Sequence, residues 1–158
     1  MLRAATAADA PLLEAMLLEA VNWDASRPQL TRAKALADPT VAHYVAGWPR
    51  AGDAGVVAEE DGVSLGAAWY RVFADDDRGY GFVDSSTPEV SIAVAETWRG
   101  RGVGTSLLRE LHAVARSVGH RRLSLSVEGA NPARELYERL GYLEVGVEGG
   151  SITMVVDL

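Results

Sequence analysis

The sequence predicts a mixed α/β domain in which a strand-helix-strand unit is set into an otherwise antiparallel sheet. Three observations predict it. The apolar spacing changes from helical to alternating at Gly55. A strand opening at Pro88 runs through a glycine-rich turn into a long helix and then another strand. Two short alternating segments around Glu148-Gly149-Gly150 close the chain. With 158 residues, 48% of them hydrophobic and 23% charged, the chain suits one domain over 1–158 that buries a core without cross-links.

In chain order, residues 2–5 are an opening strand, and Thr6 with Asp9 and Pro11 starts a helix. Leu13, Met16, Leu17, Ala20 and Val21 recur at helical spacing, giving an amphipathic helix over roughly 8–22. Asn22-Trp23-Asp24 to Pro28 breaks it. Thr31 caps a second helix reaching Ala37 before Asp38-Pro39, and a third helical or irregular stretch carries His43, Tyr44 and Trp48. From Gly55, Val56 to Glu59, the turn Glu60-Asp61-Gly62, and Val63, Leu65, Ala67, Trp69, Arg71 and Phe73 on one face describe a hairpin. Residues 74–87 are long for a connection and polar, expected as a surface loop in preference to a functional flap. Val90, Ile92 and Val94 then alternate with Glu89, Ser91 and Ala93.

Val103, Leu107, Leu111, Val114 and Val118 mark a helix of about sixteen residues that Gly119 terminates, and Leu123, Leu125 and Val127 form the next strand. Asn131-Pro132 caps and opens a helix through Leu136, Tyr137 and Leu140 to Gly141. Strands over 142–147 and 152–156 follow.

Composition narrows the chemistry. There is no cysteine, so disulfides, thiolate metal sites and a cysteine-bound acyl intermediate are excluded. His43, His112 and His120 lack metal-ligand spacing, and no metal is expected. Asp75-Asp76-Asp77 reads as a solvated loop more readily than as a cation site. No apolar run approaches the ~18 residues of a membrane span, and the first twenty residues lack a signal-peptide layout, so a cytoplasmic protein without a membrane partner is expected. The formal charge is −7, yet residues 99–122 hold six arginines and one glutamate, a segment suited to an anionic ligand. A single short basic stretch does not make the broad face that nucleic acid needs.

The informative segment is Val90-Ser-Ile-Ala-Val-Ala-Glu-Thr-Trp-Arg99-Gly-Arg-Gly-Val-Gly104-Thr105. Three glycines in five positions, after a strand and opening a helix, let backbone N–H groups close around an anion at the positive end of the helix dipole. The spacing fits neither a nucleotide-hydrolase phosphate loop nor a dinucleotide fingerprint. It fits Arg-x-x-Gly-x-Gly, here Arg99, Gly102 and Gly104. Together with Asn131-Pro-Ala-Arg-Glu-Leu-Tyr137-Glu-Arg-Leu-Gly141-Tyr142, it resembles the GCN5-related N-acetyltransferase (GNAT) superfamily over about residues 88–147.

The resemblance implies an acetyltransferase fold using acetyl-coenzyme A (acetyl-CoA) and a small-molecule or peptide amine acceptor, with self-association through the two final strands. It implies that backbone groups of Ile92, Ala93 and Val94 meet the pantetheine arm. Arg99, Gly100, Arg101, Gly102, Val103, Gly104 and Thr105 would hold the pyrophosphate. Asn131 and Ala133 would lie beside the pantetheine, and Tyr137 beside the thioester sulfur, where a phenol can donate to a departing thiolate. For Tyr137 the alternative is a tyrosine packed on the sheet, and for Asn131 a plain helix cap.

Glu89 is the candidate base, since it starts the strand that would bind the cofactor and shares a face with Ser91; Glu128 competes for the role. The Val94 amide is the candidate oxyanion donor. Asn22, Trp23 and Asp24 are expected at the acceptor site, where an aromatic face and a carboxylate suit a cation; Trp69 lines the same cleft or belongs to the core. A non-catalytic coenzyme-sensing module of the same fold is the alternative to an enzyme.

Overall fold

A computed structural model describes residues 1–158. The sheet contains β1 (Leu2–Ala4), β2 (Ala54–Glu60), β3 (Val63–Arg71), β4 (Glu89–Val94), β5 (Arg122–Glu128), β6 (Leu143–Glu148) and β7 (Ser151–Asp157), in the spatial order β1-β2-β3-β4-β5-β7-β6. Every neighbouring pair is antiparallel except β4 and β5. The helices are α1 (Ala10–Val21), α2 (Arg32–Ala37), α3 (Pro39–Ala42), α4 (Val103–Ser117) and α5 (Ala133–Arg139). No helix is long and apolar enough to cross a membrane.

The sheet is buried on both faces from β2 to β4, whereas the edge strand β6 is exposed along its length. Leu107, Leu108 and Leu111 of α4 and Tyr137 of α5 pack with Val56, Tyr70, Leu123 and Leu125 on one side. Leu13 and Leu17 of α1 and Val41 of α3 pack with Val57, Ala67, Trp69 and Ala93 on the other. Single-face alternation therefore does not hold along β3. Leu65 belongs to the α4 side, whereas Ala67 and Trp69 belong to the α1 side. The β2–β3 register shifts between Ala58 and Glu59, and such an extra residue carries side chains to the opposite face.

Two local rules hold where expected. Thr31 Oγ1 accepts from the Lys34 N–H at 3.2 Å, and α2 runs to Ala37. Gly119, at φ +93°, ends α4. The segment 74–87 is the expected surface loop, exposed over 74–78 and at 85–86, but it does not hang free: it is anchored onto the body of the protein. Asp84 pairs with Arg122, Asp77 Oδ1 lies 2.8 Å from His43 Nδ1, and Phe82 packs into the α1-side core. A Cβ on Gly81 would stand 2.5 Å from the Leu125 carbonyl carbon, so this loop reaches the β5 backbone only because the residue is glycine.

The sheet opens between β4 and β5. Only Glu89 and Ser124 are in parallel register, with the Ser124 N–H donating to the Pro88 carbonyl at 3.0 Å. Beyond them the strands separate. The Ala95 N–H donates to Leu65 on the β3 side, so by alternation Val90, Ile92 and Val94 turn their peptide groups toward the opening. An interior strand thus presents an edge without ladder partners.

Candidate active site

A cleft of about 920 Å³ follows that opening, walled by β4, the turn into α4, α5, the end of β5 and the α1–α3 segment. The end expected to take an anion is built by backbone conformation. Gly102 caps α4 at φ +84°, a left-handed geometry that costs a side chain strain. The first amides of the fifteen-residue helix then face outward without intrahelical acceptors. At Gly104 the need is spatial: a Cβ would lie 3.0 Å from Leu136 Cδ2, where α4 meets α5. Arg99 stands at this rim, its Nε donating to the Val94 carbonyl at 3.0 Å and its Nη2 to Glu19 at 3.0 Å. Gly100, Val103 and Thr105 also line the cleft, whereas Arg101 lies outside the lining, 5.0 Å over the Trp98 ring.

On the α5 side, Asn131 Oδ1 accepts from the Ala133 N–H at 2.9 Å. The cap is real, its amide nitrogen makes no hydrogen bond within the protein, and Asn131 and Ala133 both line the cleft. Tyr137 is buried at the cleft wall against the Tyr142 ring, and burial pushes its phenol up to about 12. It therefore keeps its proton at neutral pH. His112 is buried behind this wall, its Nε2 2.8 Å from the Tyr142 hydroxyl, and burial lowers it to about 4.

Glu89 is 3% exposed, at the foot of the opening. Its Oε2 accepts from the Tyr44 hydroxyl; its Oε1 is shielded and has no partner of full hydrogen-bond geometry. Removal from water raises the carboxyl to about 7, while the Tyr44 hydroxyl and the Gly81 amide draw it back down. Gly79 closes over Oε1, where a Cβ would come within 2.1 Å. A carboxyl poised near neutrality beside an open strand edge has the character of a general base. Glu128 differs: it is exposed and holds Arg27, with Nη2 at 2.6 Å from Oε2.

The expected acceptor residues separate. Trp23 lines the cleft, its indole N–H buried without a partner and the Arg27 guanidinium 5.1 Å over its ring. Asn22 does not line it, because its amide closes the 22–30 loop through both backbone groups of Leu30 at 2.9 Å. Asp24 is likewise consumed, capping Ser26 and holding Arg27. Trp69 is fully buried core, donating its indole N–H to the Tyr44 carbonyl at 3.0 Å. Tyr44, Tyr80 and Arg27 escaped the sequence reading, since nothing in local spacing marks a partner 45 residues away.

A family model described as acetyltransferase (GNAT) family matches residues 17–142. A Bacillus subtilis protein named "Putative phosphinothricin acetyltransferase YwnH" is 39% identical over 71 residues, 44% of each chain, so the matched part spans less than half of that relative. Among solved structures, ribosomal-protein-alanine N-acetyltransferase of Brucella melitensis superposes with a TM-score of 0.71 at 26% identity, over 100% of this chain and 99% of its own. Salmonella typhimurium yncA, solved with its cofactor acetyl-CoA, does so with 0.68 at 26%, over 100% and 93%. The family model covers most of the chain, including the glycine turn, β4 and α5, and on that match the chain belongs to the GNAT acetyltransferase family.

Proposed function

We propose that this protein transfers an acetyl group from acetyl-CoA to a primary amine by direct attack, with Glu89 as base and Tyr137 as acid. The observation that carries the proposal is the buried Glu89 carboxyl at the foot of the β4–β5 opening. Bound acetyl-CoA supplies an activated acyl carbonyl and a thiolate leaving group. The peptide groups of Ile92 and Val94 would pair with the pantetheine amides as an added strand would, and the Asn131 amide nitrogen would donate to a pantetheine carbonyl. The amides of Gly102 to Thr105 would hold the pyrophosphate. Arg99 would exchange Glu19 for a phosphate; an exposed ion pair is worth only about 0–1 kcal/mol, so the exchange costs little.

At the reacting end the neutral amine, its ammonium proton already lost to solvent, attacks while Glu89 accepts the one further proton the nitrogen sheds and later returns it to solvent. The nitrogen–carbon bond forms as the carbon–sulfur bond breaks. The Val94 N–H, directed into the opening, would stabilise charge on the acyl oxygen. Tyr137 gives its proton to the leaving sulfur and regains one from solvent. Trp23, Leu30, Val41 and Tyr80 shape the acceptor end as a small aromatic and aliphatic chamber.

The test is calorimetric titration with acetyl-CoA for the native protein and for Gly102→Glu, with thiol release followed against an amine panel. Phosphinothricin, the compound in the relative's name, heads that panel, and free amino acids and a peptide with N-terminal alanine follow. Binding lost in the variant together with turnover of one amine supports the proposal. Absence of binding in the native protein refutes it, and binding without turnover of any amine favours a coenzyme sensor.

A further inference from the structure

The mechanism above leaves Tyr44 unused, although it is buried and makes the only side-chain hydrogen bond to the proposed base. Its hydroxyl is bonded on two sides: it donates to Glu89 Oε2 and accepts from the Tyr80 N–H at 2.8 Å. The ring is held edge-on against His43, with centroids 4.7 Å apart, and against Phe73 at 5.2 Å. The flanking backbone is fixed as well. Trp69 donates to the Tyr44 carbonyl, and Arg71 donates to the carbonyls of His43 at 2.9 Å and Ala46 at 2.7 Å. Arg71 is in turn locked by Asp53, both side chains being 1% exposed. Two hydrogen bonds and two ring contacts hold the phenol, and the backbone that carries it is held separately.

We propose that Tyr44 is the positioning residue of the base: its hydroxyl orients the Glu89 carboxylate, stabilises its charged form, and ties it to the 79–81 segment that shields it. The proposal rests on Glu89 being the base. The other charged and titratable groups near Glu89 are engaged elsewhere. Arg71, its cross-strand neighbour, is turned to Asp53, and His43 bonds through Nδ1 to Asp77. Asp84 is held by Arg122, Arg78 by Asp75, and the Tyr80 hydroxyl lies 3.2 Å from Thr40 Oγ1. From β5 the register partner is uncharged Ser124. Tyr44 is thus the one side chain that, beside the Gly81 amide, favours the ionised form.

The experiment compares kcat against pH for the native protein, Tyr44→Phe, Glu89→Gln and the double variant, using acetyl-CoA and the best amine of the panel. Losing a hydrogen bond to a charged acceptor corresponds to about one pH unit or more. Tyr44→Phe is expected to move the acidic midpoint upward by about that amount. It should lose activity about tenfold at pH 6 and recover most of it at pH 9, with the KM for acetyl-CoA unchanged. In the Glu89→Gln background it should cost nothing further. A loss equal at every pH, or one that persists in that background, overturns the positioning role. If Glu89→Gln itself keeps the native midpoint, the base assignment fails and the proposal falls with it. An infrared titration of the carboxyl band absent from Glu89→Gln gives the same midpoint without turnover, so a sluggish Tyr44→Phe still decides the matter.

Discussion

Replacing Glu89 by glutamine has a consequence for stability that is separate from catalysis. The carboxyl is 3% exposed and its proton is held up to about 7, against 4.5 for the same group in water. Between those values the folded protein keeps a proton that the unfolded chain has released. Stability from this group is therefore fully present below pH 4.5 and is lost as pH rises through 7. At about 1.4 kcal/mol per pH unit the interval corresponds to about 3 kcal/mol. Glutamine stays neutral throughout and retains an oxygen for the Tyr44 hydroxyl. The native protein should accordingly lose about 3 kcal/mol relative to Glu89→Gln between pH 4.5 and pH 8. Urea unfolding of both proteins at the two pH values measures this, because titration of the other acidic groups cancels in the difference. A stability difference constant within about 0.5 kcal/mol across the range would give Glu89 an ordinary acidity and remove the physical basis for its role.

Tyr137→Phe removes the proposed proton donor while keeping the ring against Tyr142, so kcat should fall about 10²-fold or more with acetyl-CoA binding retained; stopped-flow thiol release checks this. Gly81→Ala places a methyl against the Leu125 carbonyl and should lift the loop from β5, re-admitting water to Glu89 and moving the acidic limb of the pH profile down toward 4.5. Glu128→Gln breaks only the exposed pair with Arg27, and should cost less than about 1 kcal/mol in denaturant unfolding while leaving the pH midpoint of kcat in place.

What the sequence revealed follows from the range of each interaction. The glycine turn, the Asn131 cap and α2 from its Thr31 cap are set by neighbours within a few positions, and all stand where local chemistry puts them. Glu89 was legible as a position, the first residue of β4, but not as a buried group. Its burial comes from Tyr44 and from glycines 79 and 81, which belong to segments without periodicity. Trp69 illustrates the converse. An aromatic on a strand beside a cleft and an aromatic in a core have the same local signature, and only the packing of α1 and the 43–48 segment decides between them. Asn22 and Asp24 have the residue types of a binding site, yet a tight loop needs the same types for its own closure. The bulge opposite Ala58, which reverses the facing of Leu65, has no marker in an apolar run buried on both sides.

The most direct test of the account is the pH dependence of kcat for acetyl transfer from saturating acetyl-CoA, in the native protein and in Glu89→Gln. The native rate should rise through a midpoint near 7, matching the acidity of the buried carboxyl, and that limb should vanish in the variant. A native profile that is flat from pH 5 to pH 9, or a variant that keeps the same limb, would contradict Glu89 as the base.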